Sequence, residues 1–366
     1  MPHKLLFVGD VVLQSSPVLS QDLQALIREQ DICCCNVEAP LSGFGAAVKK
    51  TGPLINQLAQ SAEWLQDFGF NMFAMANNHI LDYGAEGLAH TRQAFGANVI
   101  GAGSEEEAYA LLVKEVEGVR YGFVAYGENG FGALNGDRDY GHAWVNSTRV
   151  DEDLIAYKDQ VDILIVQVHA GVEMVDVPIP EWRQRYRELI DRGADMVIAH
   201  HPHVVQGHET YRGKRIFYSL GNFYFDGISK TTAWNTGGAL QLVVDRKQIV
   251  QADLFLVSKQ GNRLSLMPRM ETEQQLARLN EKLQHTAAYE NYVDQIAVEQ
   301  WLQHHRNYYA KPFNGLVQYS LKALAKHIKR LLFHRNIDYD LLWHNMEIES
   351  NFWIVRRAIQ KLRKKQ

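Results

Sequence analysis

Three histidines fall within four residues, His200, His201 and His203, with Pro202 between the last two. Imidazole is the commonest metal-binding side chain. Proline fixes φ and offers no N–H, so His201 and His203 are expected on a stiff turn rather than in a ladder. The apolar run MVIA (196–199) precedes them and reads as a buried parallel strand. The histidines then stand at a strand's carboxyl end, where open α/β sheets place their ligands. Taken alone, a surface turn explains the three equally well. Other apolar runs, however, end in the same way: Asp10 after the first, Asn36 and Glu38 after the second, Asn77, Asn78 and His79 after the third, His169 and Glu173 after a later one. Carboxylates can bridge two ions while imidazoles and an amide oxygen fill the outer positions. Two such ions orient and deprotonate a water for attack on phosphorus, or polarise a carbonyl. Each residue has a bland alternative: a turn for Asp10, a cap for Asn78, a satisfied core position for His169. The set as a whole is harder to explain blandly, because it requires unrelated polar clusters at most strand ends.

Strands must carry these clusters. Residues 4–9 form the first, and SQDLQALIREQ (20–30) has a Ser N-cap and helical spacing. DICCCNVEAP is the second strand, followed by a helix over 57–68, the strand NMFAMANNH, a helix over 85–95 and the strand NVIGAG. LLVKEVEGVRYGFVAYG predicts a hairpin turning at Glu117-Gly118. A Gly-rich loop (127–142) with Asn129, Asp137 and Arg138 reads as a lid over substrate. Helices over 150–159 and 181–192 separate the strands DILIVQVHAG and ADMVIAHHPH. This alternation predicts an α/β sheet system covered by helices on both faces. After His203, GKRIFYSLGNFYFD and GALQLVVDRKQIVQADLFLVS alternate as strands and predict a β extension. From about Met270 the period becomes helical, so the chain divides into a core over 1–265 and a helical region over 266–366.

Hydrophobic content of 46% and charged content of 22% are ordinary for a globular protein, and no apolar run reaches the length of a membrane span. The apolar start ends in Gly9-Asp10 and reads as a strand rather than a signal peptide. Cys33, Cys34 and Cys35 are consecutive, which is no disulfide framework; they read as buried small hydrophobes in a reducing compartment. A cytoplasmic location is the expectation. Residues 301–366 carry 13 Lys+Arg against 4 Asp+Glu, a net of +9 in a chain whose total is −4. Two stretches there, 316–335 and 352–366, set leucines and isoleucines at helical spacing beside Lys322, Lys326, Lys329 and Arg330, and beside Arg356, Arg357, Lys361, Arg363, Lys364 and Lys365. Such helices either pack on the protein's own core or attach peripherally to a membrane-associated synthesis complex. No nucleic-acid partner is expected.

Taken in order, FVGD (7–10), CNVEAPLS (35–42), VKKTGP (48–53), ANNHILDYG (76–84), IGAG (100–103), VHAGVE (168–173), GADMVIAHHPHVVQG (193–207) and KRIFYSLGNFYFD (214–226) resemble the CapA group. These are capsule and poly-γ-glutamate biosynthesis proteins related to calcineurin-like metallophosphoesterases. The resemblance implies a layered αββα metallophosphoesterase-like core. It implies one or two divalent ions (Mn, Fe or Zn) on Asp10, Glu38, Asn78, His169, His201 and His203, with Glu38 as the bridge. It makes His79 the proton donor to a leaving oxygen, and gives Asp10 a share in catalysis through its ion. Asn36, Asn77, His200, Glu173 and Asn222 are expected to orient these groups or meet substrate, and Lys50, with Lys49, to hold an anion. One position departs from the superfamily's first motif, in which an imidazole follows the aspartate by two: here Val12 stands there. Unequal ion affinities are the expected consequence.

Three readings follow. The first is a metal-dependent phosphoesterase acting on a phosphate-bearing or anionic polymer substrate. The second is an amide hydrolase or transferase on a γ-glutamyl or cell-wall polymer. The third is a non-catalytic metal-stabilised scaffold for a polymer synthase.

Overall fold

The computed structural model describes residues 2–227, 231–313, 315–316, 320–333 and 339–364. Two compact units divide the chain: Met1–Val48 with Leu54–Gln284, and Lys49–Pro53 with His285–Gln366. The division expected at 265/266 differs from this, because helix Arg269–Gln284 buries Leu279 in the core of the first unit.

The first unit holds two large sheets and a two-stranded one, Ala102–Ser104 with Tyr140–His142. In one large sheet, the strand His3–Val12 is central, parallel to Ile32–Val37 on one side and antiparallel to Thr236–Asp245 on the other. Met72–Ala74 and Val99–Ile100 extend it past Ile32–Val37; Gln248–Gln260 and Arg263–Leu266 extend it the other way, as the expected β extension. The second sheet runs His208–Tyr211, Lys214–Phe217, Met196–His200, Ile163–His169, Val119–Gly127, Leu112–Val116. The strand period of two sorts the side chains. Leu5, Phe7, Ile32 and Cys34 meet Phe123, Ile163, Ile165, Met196 and Ile198 between the sheets. Leu6, Val8, Cys33 and Cys35 face the other way, in one cluster with Leu23, Ile27, Leu65 and Leu88 from three helices. Two helices bearing the buried Leu154, Trp182, Tyr186 and Leu189 lead into strands of the second sheet. The architecture is the layered αββα core that the sequence implied, and the three free cysteines are buried packing groups.

Several local expectations hold, and some shift. The hairpin turns at Glu117-Gly118, both with positive φ. The predicted helix over 57–68 begins only at Ser61. Within the Gly-rich loop, residues 132–135 are largely buried and Tyr140–His142 pairs with Ala102–Ser104, leaving 136–140 as the exposed tip. KRIFYSLGNFYFD does not stay in one sheet. Lys214–Phe217 joins the second sheet, and residues 218–221 carry the chain to the first, where Asn222–Phe225 pairs in parallel with the end of His3–Val12.

That crossing requires glycine. A Cβ on Gly9 would lie 1.9 Å from the Gly221 carbonyl oxygen. The register slips between Val8 and Asp10, a bulge at Gly9 that re-aims the next side chain. Asp10 is thereby left with Asn36 on one flank and Asn222 on the other.

The second unit is helical, with Thr286–Gln300, Arg306–Ala310, Leu321–Phe333, Tyr339–Glu347 and Glu349–Arg363 among its elements. The expected helix over 316–335 is seen as Leu321–Phe333; residues 317–319 and 334–335, and Lys365 of the closing run, lie outside the described residues. Among the described residues no helix is long and apolar enough to cross a membrane.

Candidate metal centre

The carboxyl ends of both sheets supply the candidate residues in rows. Asn222, Asp10 and Asn36 are register neighbours in the first sheet; Gly127, His169 and His200 are neighbours in the second. The chain leaves these strands with its polar residues buried: Asp10, Glu38 and Asn77 are fully enclosed, and His79, His169, His200, His201 and His203 nearly so. His201 and His203 both have positive φ, at 92° and 57°. For residues other than glycine, such backbone costs of order 1–3 kcal/mol and persists where surrounding structure enforces it, commonly at functional sites. The stiff turn anticipated from Pro202 is therefore present and strained.

His169 Nε2 lies 3.0 Å from Asn78 Oδ1, 3.1 Å from His201 Nδ1 and 3.5 Å from Glu38 Oε1. Glu38 Oε1 is also 3.5 Å from His203 Nε2, and Asp10 Oδ2 is 3.4 Å from His203 Nδ1. Ligand atoms about 2.1 Å from one ion stand about 3.0–3.4 Å apart at octahedral or tetrahedral angles, so the first set has the spacing of a coordination shell. Among the described residues two groups qualify by proximity, Glu38 with His169 and His201, and Asp10 with Glu38 and His203. Glu38 belongs to both.

The fit to a divalent ion rests on Glu38. It is fully buried, and neither carboxylate oxygen accepts a hydrogen bond. A buried charged acceptor with no donor is costly unless a cation compensates it. Burial pushes its carboxyl well above the usual range, with the Asp10 charge adding to the push. Burial also holds His201 down, to about 4, and His169 well below its ordinary value, helped by neighbouring histidines. Both imidazoles are thus neutral at physiological pH, the form that binds metal. His203 goes the other way: burial opposes its charge, but Glu38 and Asp10 outweigh it and raise the ring to about 10. Asp10 is lowered, since the His203 hydrogen bond and the His200 charge together outweigh burial. The donor set is nitrogen and oxygen only, which suits Mn, Fe or Zn and selects none of them.

Around these atoms lie the orienting contacts. Asn36 Nδ2 donates to Asp10 Oδ1 at 2.8 Å and stands 3.1 Å from His169 Nδ1. The His201 amide N–H donates to Asp10 Oδ2 at 3.3 Å, and Asn222 Oδ1 is 2.9 Å from His203 Nδ1. His200 faces Gln167 at 3.3 Å and Asp10 at 3.5 Å. Asn77 donates to the Val37 carbonyl oxygen at 2.8 Å and receives the His79 amide, tying two strand ends together. Glu173 is exposed, and its charge acts on Glu38, His201 and His203. Lys49 and Lys50 fall in segment 49–53, which groups with the second unit. Val12 is enclosed with Ala39, Phe225 and Trp234, so an apolar wall occupies the place of the absent imidazole.

Three contributors escaped sequence reasoning. Glu128 Oε1 lies 3.5 Å from His201 Nε2. It directly follows the apolar run FVAYG, the same signal that marked the other residues, but the glycines around it hid it in a loop. Asp82 Oδ2 lies 2.8 Å from His79 Nδ1 and accepts from the Ile55 amide at 2.8 Å. Gln167 is the one polar residue ahead of His169 in ILIVQVH.

Residues 4–227 match the family described as bacterial capsule synthesis protein PGA_cap. The chain belongs to that family. It is 30% identical over 248 residues to the PGA biosynthesis protein CapA of Bacillus subtilis, covering 60% of this chain and 62% of the relative. It is 31% identical over 176 residues to the capsule biosynthesis protein CapA of Bacillus anthracis, covering 46% and 43%. The chain therefore spans under two thirds of the length of these relatives. Among solved structures it is similar to the 5'-nucleotidase of Candida albicans at 9% identity and a TM-score of 0.41, over 78% of this chain and 55% of that one; a likeness that low carries no argument. The PGA_cap match spans every residue of the two proximity groups and ends before His285, where the helical part of the second unit starts.

Proposed function

We propose that this chain is a metal-dependent hydrolase acting on a phosphate ester in capsule or exopolymer synthesis. The observation that carries the reading is Glu38, buried without a donor and common to both groups of ligand atoms. When bound, divalent ions there supply positive charge to a phosphoryl oxygen and ionise water near neutral pH. The chain's own residues do the rest. Asp10, Glu38, Asn78, His169, His201 and His203 hold the ions, and Asn36 and Asn222 fix the orientation of Asp10 and His203. Asp82 sits at hydrogen-bond distance from His79 Nδ1, which leaves Nε2 to carry a proton toward a leaving oxygen.

The test is metal content of protein purified without chelator, followed by turnover of p-nitrophenyl phosphate with added manganese. Bound divalent metal and turnover lost in His201→Ala support the reading. Metal-bound protein inert toward phosphate esters overturns it. The relatives' names carry PGA and capsule biosynthesis, so a γ-glutamyl amide is the second substrate to assay. Val12 favours the scaffold reading: it removes one ligand from the Asp10 side and replaces it with packed apolar surface. Bound metal with no turnover of either substrate is that reading's signature.

A further inference from the structure

The two basic helices of the second unit have opposite fates. Glu349–Arg363 turns its apolar side inward: Ile354 and Ala358 are fully buried, and Arg357 and Lys361 pair with Asp294 at 3.1 and 3.0 Å. Two of its cations thus have a carboxylate partner within the same unit. Leu321–Phe333 does the reverse. Leu321, Leu324, Ile328, Leu331 and Leu332 are 43–88% exposed. At 100° per residue these five span one arc of about 100°, and Lys322, Lys326 and Lys329 fall in an adjacent arc. All three lysines are exposed, none is in an ion pair among the described residues, and the helix contains no acidic residue. The next helix, Tyr339–Glu347, leaves Tyr339, Trp343 and Met346 exposed at helical spacing. A strip of leucines this open costs solvation free energy and marks a surface that something covers.

We propose that helix Leu321–Phe333 lies in the headgroup region of an anionic lipid surface, leucines toward the acyl chains and lysines at the phosphates. Charge decides the occupant. A second copy of this chain would bring like-charged lysines together across a two-fold interface, whereas anionic lipid neutralises them. Tyr339 and Trp343 are the residue types that settle at membrane interfaces. The inference is independent of the metal centre.

Co-sedimentation of the full-length protein tests it, using phosphatidylcholine vesicles with about a third phosphatidylglycerol and vesicles of pure phosphatidylcholine. The protein is expected to pellet with the anionic vesicles at low salt and to be released at about 0.5 M salt, where charges are screened. The triple variant Lys322→Glu, Lys326→Glu, Lys329→Glu is expected to lose at least about a hundredfold in affinity. The double variant Leu324→Asp, Leu331→Asp is expected to stay in the supernatant. Thermal melting shows whether the double variant is folded; should it melt early, the triple variant decides, since its changes are confined to exposed lysines. Wild-type protein that pellets with neither vesicle overturns the proposal, as does a folded variant that binds like wild type. Self-association by light scattering, abolished by Leu324→Asp without any vesicle binding, assigns the strip to a second copy instead.

Discussion

His201 presents one ring nitrogen to His169 at 3.1 Å and the other to Glu128 at 3.5 Å. A carboxylate behind an imidazole fixes its tautomer and ring orientation, leaving the front nitrogen's lone pair for a metal. Glu128→Gln is expected to weaken metal affinity about 10- to 100-fold. Calorimetric titration of stripped protein reads this directly, and the melting temperature of the metal-free protein should change little.

Val12 predicts inequality between the two ion positions. Metal titrated into stripped protein should bind in two separated steps, or as one ion. The tight step should vanish in His169→Ala and survive in His203→Ala. Two ions of equal affinity contradict the assignment.

Glu38 costs the metal-free protein stability, because burial and Asp10 both oppose its charge. Glu38→Gln should raise the metal-free melting temperature, worth about 1–3 kcal/mol, while removing metal binding. A lower melting temperature would show that Glu38 is held by its neighbours instead.

Acid stability should track Glu209. Burial raises its carboxyl, but hydrogen bonds from Arg187, Arg183 and Tyr218 outweigh this and bring it down to about 2. A lowered native value means the contribution is complete above the unfolded carboxyl's ordinary value, and is lost as pH falls from there through about 2. Glu209→Gln should cost about 3 kcal/mol at neutral pH and flatten the loss of stability across that acid window. Denaturant melts at several pH values measure both.

Gly9→Ala places a methyl group 1.9 Å from the Gly221 carbonyl oxygen. Neither backbone can yield without moving Asp10 or Asn222. The expected loss is at least about 3 kcal/mol, together with metal binding; a variant melting like wild type would mean the two strand ends are farther apart.

The sequence alone determined the layered sheets, because apolar period and turn chemistry are local properties read along the chain. It also marked Asp10, Glu38, Asn78, His169, His201 and His203 as candidates, because each comes within a few residues of the end of an apolar run. Which partner each would meet was not local. Glu128 and His201 are 73 positions apart in the chain and meet only because their strands both pair with Ile163–His169. The crossing at residues 218–221, which brings Asn222 beside Asp10, is invisible in an alternating pattern that fits either sheet equally well. The two basic helices look alike as sequences, with the same apolar spacing and the same cations. Only packing separated them: Asp294 and a facing helix took up one, and nothing among the described residues covers the leucines of the other. Periodicity fixes which face of a helix is apolar, and tertiary contact alone fixes whether that face is buried.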